Sequence, residues 1–201
     1  TNQLLILLDD HGRAYTLNPR ELPSARSQGE PVTTRLDLQD GGTLASLLMG
    51  DPEARYVLAS TQGYGFVTPL GGLQARNRAG KALISLGDAQ PLAPVRCGDP
   101  AADLAVCTAE GRLLVFPVAD LPELAKGKGN KLVGLKGKDV VLALGVVPPG
   151  ASLVLTCGKR TLTLKPTDLD LYRGARASRG GHLPRGFQRV ESLAAELDLK
   201  G

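Results

Sequence analysis

The chain has 201 residues, of which 42% are hydrophobic and 22% charged, enough for one domain with a real core and unlike a disordered polymer. Gly 25 and Pro 14 point to many turns and short strands, and three cysteines without a C-x-x-C pair argue against a disulfide framework and fit a reducing compartment. The net charge is only +4 but it is segregated: Arg76–Lys81, Lys126–Lys138 and Arg173–Arg189 cover 36 residues, hold 13 of the 24 Lys and Arg, and contain no acid, which suits a polyanion partner.

The first predicted element is a hairpin in LLDDHGRAYTLNPREL, with its tight turn at Gly12 and a closing Leu22. A Gly-bearing polar segment, PSARSQGE, follows, and then the apolar run Leu44–Met49. A second hairpin, LASTQGYGFVTPLGGL, turns at Gly63 and closes at Leu73. Behind it come QARNRAGK, a strand-like run at Ala82–Leu86 and an apolar run at Leu92–Val95. The third hairpin, VCTAEGRLLVFPVADL, turns at Gly111 and closes at Leu121; PELAKGKGNK, Leu132–Leu135 and Val140–Val147 follow.

Val140 to Gly158 is an uncharged run long enough to suggest a membrane helix. Pro148-Pro149-Gly150 breaks it, which predicts strand, turn, strand and no membrane partner. The second of these strands opens the fourth hairpin, LVLTCGKRTLTLKPTDL, which turns at Gly158, closes at Leu169 and leads into YRGARASRGGH. The last element, Ser192–Asp198, has a short helical pattern.

The turn glycines are spaced 51, 48 and 47, and the closing leucines 51, 48 and 48. Gly29, Gly80, Gly129 and Gly180 keep nearly the same phase in the polar segments. This predicts one all-β domain over 1–201, a propeller-like array of four roughly 48-residue blades at about 1–50, 51–98, 99–148 and 149–201. Four strands per unit are expected. The polar segments would then share one radial position and line a rim. Their glycines would let the backbone approach a phosphate, and the adjacent Lys and Arg would supply charge. Aromatics are 3%, too few for a stacking platform, so duplex rather than single-stranded nucleic acid is expected.

Other chemistries find no support. Gly129 and Gly134 have P-loop spacing, but Leu135 and Lys136 follow where Lys and Ser/Thr are needed. The dinucleotide pattern fails at Leu132. His11 and His182 fall in different repeats, and no triad is expected. Asp168-x-Asp170 reads as a structural turn, because Asp168 occupies the repeat position of Asp120. Cys97 and Cys107 read as small buried apolar residues. No catalytic residue, metal site or cofactor is therefore expected in the chain. A propeller-type protein-interaction module is the alternative, but such interfaces favour aromatics and deplete Lys, the reverse of this composition.

The stretches GYGFVTPLGGLQARNRAGKALISL, GRLLVFPVADLPELAKGKGNKLVGL and RGGHLPRGFQRV, with all four repeats, resemble the C-terminal domain of the A subunit of bacterial DNA topoisomerase IV. That resemblance implies a β-pinwheel, in which blades exchange strands and the rim binds and bends duplex DNA. It implies an ATP-dependent type IIA parent enzyme, cytoplasmic, with its cleavage core upstream and its ATP and Mg²⁺ sites on the partner B subunit. Carried over by position, the rim candidates are Arg26; Arg76, Arg78 and Lys81; Lys126, Lys128 and Lys131; and Arg173, Arg176, Arg179 and Arg185. Lys159 and Arg160, in a hairpin turn, are weaker candidates expected to face away from the DNA path. Two departures stand out. Ser178-Arg179-Gly180-Gly181-His182 does not match the Gln-Arg-Arg-Gly-Gly-Lys-Gly box of gyrase, which disfavours strong wrapping. The family has five or more blades, so a chain starting on a strand at Leu4 is expected to be a fragment lacking a first blade.

Overall fold

The computed structural model describes residues 3–22, 29–39 and 41–197. Short alternating apolar runs joined by Gly turns fold into antiparallel hairpins in every repeat. Repeat one supplies β1 (Leu4–Asp9), β2 (Arg13–Leu17) and β3 (Leu44–Gly50). Repeat two supplies β4 (Arg55–Ala59), β5 (Tyr64–Pro69), β6 (Lys81–Ala82) and β7 (Val95–Cys97). Repeat three gives β8 (Asp103–Thr108), β9 (Arg112–Pro117), β10 (Asn130–Lys131) and β11 (Val141–Val147). Repeat four gives β12 (Ser152–Cys157), β13 (Arg160–Leu164), β14 (Gly181–His182) and β15 (Ser192–Glu196). Pro148-Pro149-Gly150 separates β11 from β12, as its composition requires.

Two sequence expectations are corrected. Ser192–Glu196 is a strand, not a helix. It pairs antiparallel with β12, Leu193 opposite Leu155, and Leu193 packs onto Gly145 of β11. A helical run this short has little intrinsic stability, so the open edge of β12 decides its conformation. The runs expected at Ala82–Leu86 and Leu132–Leu135 are also displaced: the strands are β6 and β10, which begin one or two residues earlier, and beyond them only Ile84 makes an isolated bridge, to Gly127, among the described residues. Leu83 and Leu132 are buried instead in the cores beneath them.

The four sheets are ordered β3-β1-β2-β6, β10-β5-β4-β7, β11-β8-β9-β14 and β13-β12-β15. The first three are therefore composite. β6 pairs with β2, β10 with β5 and β14 with β9, so each repeat closes the outer edge of the sheet before it. The cores lie between neighbours as well. One joins Val57 and Val67 of repeat two to Leu104, Phe116 and Leu132 of repeat three, and another joins Val115 of repeat three to Leu153 and Leu169 of repeat four. A smaller cluster of Leu5, Leu7, Tyr15, Leu17 and Leu36 lies within repeat one, but the three larger cores are each shared by two repeats, the condition that makes side-by-side stacking necessary.

Candidate nucleic-acid interface

The basic segments of repeats two, three and four each leave their own hairpin and cross to the preceding sheet. Gly80, Gly129 and Gly180 mark the crossing, with φ between 73° and 81°. A Cβ on Gly80 would lie 2.7 Å from the Ala14 carbonyl oxygen; on Gly129 it would run into the Gly65 carbonyl, and on Gly180 into that of Leu113. Only glycine satisfies both the backbone conformation and the space. In the sequence these glycines suit close approach of a phosphate. The structure puts them at the seam between blades, where the close neighbour is protein backbone.

In the first three sheets the first residue of the outer hairpin strand clamps the arriving segment. Arg13 donates through Nη2 to the carbonyls of Ala79 at 2.9 Å and Gly80 at 3.2 Å. Arg112 stands at the same repeat position and donates to the Gly180 carbonyl at 2.9 Å; its Nη2 lies 2.8 Å from His182 Nε2. Tyr64 holds that position in repeat two, and Lys128 Nζ sits 4.0 Å from its ring centroid, a cation–π contact. Sequence reasoning missed this set of clamps. The signal was present, since Arg13, Tyr64, Arg112 and Arg160 share the spacing of the closing leucines. No segment reaches β13 among the described residues, and the Arg160 guanidinium lies over Gly186 instead. Arg160 thus sits beside Gly186, the residue that follows candidate Arg185.

The candidates divide by what their head groups touch. Arg26 lies outside the described residues. Arg78 donates to the carbonyls of Arg35 and Thr34, Lys81 to that of Gly72 at 2.8 Å, and Arg176 to that of Lys131 at 2.6 Å. These carbonyl bonds fix the side chain but leave its charge uncompensated. Arg179 instead pairs with Glu110 at 3.1 Å. Arg173 pairs with Asp103 at 2.5 Å and Asp170 at 2.9 Å, and the bond to Asp103 pushes its pKa up. Folding therefore returns acids to two arginines of a tract that is acid-free in sequence. Arg76, Lys126, Lys131 and Arg185 are exposed, with no side-chain partner among the described residues.

Two ion pairs occupy one repeated position with opposite polarity. Arg55, first in β4, meets Glu123 of the next repeat at 2.6 Å. Asp103, first in β8, meets Arg173 of the repeat after that. The base is on the sheet and the acid on the arriving segment at one seam, and the reverse holds at the next.

Asp9, Asp10 and His11 bring possible ligand atoms within 4.8 Å of one another. However, Asp9 is buried and already accepts from the N–H groups of His11 and Arg13 and from the Tyr15 hydroxyl. Those bonds hold the first hairpin turn. Burial, followed by the bond to Asp9, pushes the Tyr15 pKa up. Asp168 likewise has a local role, accepting from the Lys165 N–H at 2.9 Å at the start of a four-residue helix, Pro166–Leu169.

A family model described as "DNA gyrase C-terminal domain, beta-propeller" matches residues 10–49, 55–90 and 102–148. The chain belongs to this family. The three matched stretches fall one in each of the first three repeats. The A subunit of DNA topoisomerase 4 from Pseudomonas aeruginosa is 49% identical over 205 residues, covering 98% of this chain and 27% of that protein. The protein of the same name from Escherichia coli strain K12 is 43% identical with the same coverage. The chain thus spans 27% of the length of these relatives. Among solved structures, the E. coli ParC C-terminal domain matches with a TM-score of 0.89 at 41% identity, over 98% of this chain and 82% of that one. A structure of the C-terminal domain of DNA topoisomerase IV matches with a TM-score of 0.81 at 18% identity, over 98% of this chain and 64% of that one, and shares the fold. No helix among the described residues is long and apolar enough to cross a membrane.

Proposed function

We propose that this chain is the duplex-DNA-binding and DNA-bending part of the A subunit of a topoisomerase IV and performs no chemical step itself. The supporting observation is the set Arg76, Lys126, Lys131 and Arg185: exposed, without side-chain partners among the described residues, and drawn from three successive repeats. Cations spaced along a rigid array suit a polyanion that is itself periodic, contacted through phosphates rather than base edges. In the whole cytoplasmic enzyme the domain presents a duplex and discriminates its topology for strand passage and decatenation during chromosome segregation. Strand cleavage belongs to the core that precedes this domain, and ATP and Mg²⁺ to the B subunit.

The test is anisotropy of a labelled random duplex titrated across salt concentrations. With roughly four phosphate contacts, log K falls against log salt with a slope of about −3.6. Binding confined to one sequence, or a slope near zero, overturns the reading.

A further inference from the structure

We infer that the anion-binding surface of repeat three does not end at its exchange strand but turns the corner onto Lys136 and Lys138, where the duplex backbone also rests. The inference depends on the duplex-binding reading above, and it adds residues outside the rim positions.

Lys136-Gly137-Lys138 forms a tight turn, with Gly137 at φ 57° and the Asp139 N–H donating to the Lys136 carbonyl at 3.1 Å. Asp139 anchors it from beneath. Its side chain is buried, and Oδ1 accepts from the N–H groups of Glu110 at 2.9 Å and Val140 at 3.0 Å. The turn is thereby fixed to the β8–β9 hairpin, while both lysines stay exposed without a side-chain partner among the described residues. Glu110, the acid at this corner, is already bound by Arg179. Across the hairpin turn, Gly111 packs on Gln188, which brings up the Arg185–Arg189 stretch with two further exposed arginines.

The same corner in repeat two has the opposite character. Gly87, at φ 59°, sits where Gly137 does, but its neighbours are Leu86 and Asp88, and they share a cleft with Asp10 and His11. Backbone geometry is kept and charge is changed, so the lysines are not required by the turn. Lys131 and Lys136 are five residues apart, at most about 17 Å of chain. That reach is comparable with phosphates facing each other across a major groove about 12 Å wide. One duplex can therefore touch both.

The experiment compares the salt slopes of three double variants of the chain: Lys136→Gln with Lys138→Gln, Lys126→Gln with Lys131→Gln, and a charge-matched control, Arg96→Gln with Lys165→Gln. Arg96 lies on β7, the opposite edge of its sheet from β10. The expected result is a slope shallower by about 2 for each of the first two variants, one unit per lost phosphate contact, and a smaller change for the control. Thermal melts check that all three remain folded. If the Lys136/Lys138 variant behaves as the control while the Lys126/Lys131 variant loses slope, the surface stops at the exchange strand and the inference is wrong, with duplex binding intact. If neither variant departs from the control, the duplex-binding reading itself falls.

Discussion

Gly129 has a backbone role that its lysine-rich surroundings conceal. An alanine there meets both an unfavourable φ of 81° and the Gly65 backbone of the neighbouring sheet. Gly137, at φ 57°, has open space where a Cβ would go. Gly137→Ala should therefore cost about 1 kcal/mol from backbone strain, and Gly129→Ala roughly 2 kcal/mol or more. Urea unfolding of the two variants measures the difference, and equal losses would contradict the seam assignment. Cys107 offers a second test. It is fully buried on β8, and burial pushes its thiol up to about 12. Its folded-state pKa lies above that of the unfolded thiol, so the unfolded state gives up its proton first as pH rises. The contribution to stability is intact below about pH 8.5 and is lost progressively between there and about pH 12. At a pH of about 8.5 the native thiol should resist alkylation that proceeds readily in denaturant.

At the level of elements, the hairpins were readable because alternation and Gly turns act over a few residues. The exchange of strands was not readable from pattern. β6, β10 and β14 are two residues long, too short for any periodicity, and their partners lie a whole repeat away. The family resemblance supplied the exchange as an expectation; nothing in the local sequence did. Ser192–Glu196 reads as helix for a related reason, since its partner β12 lies far upstream and leaves no trace in the local pattern. The reversed ion pairs suggest how each arriving segment meets a matching sheet. Glu123→Arg sets two arginines against each other at one seam. Arg55→Asp added to it recreates the polarity of the Asp103–Arg173 seam. The single change should cost about 0.5–1 kcal/mol and the double variant should recover most of it, because the pair is half-exposed. A double-mutant cycle by denaturant unfolding reads this directly, and no recovery would mean the pairs do not communicate.

For the whole molecule, the repeat phase predicted an all-β array of four blades, which the four sheets show, because three markers recur across 201 residues. Charge segregation was a poorer guide to the surface. Arg173 and Arg179 belong to an acid-free tract, yet each meets a carboxylate contributed by repeat three. Conversely, Arg13 and Arg112 look like ordinary strand residues and hold the seams. The folded array also bears on how the chain is made. β2 ends at Leu17, but its outer partner begins at Lys81, 64 positions later. At roughly 5–20 residues per second, a ribosome needs about 3–13 s to supply it. Every blade but the last thus emerges with one raw edge and waits for its successor. A nascent chain stalled just after the first hairpin should be protease-sensitive there, and should become resistant only once Lys81–Ala82 has cleared the exit tunnel.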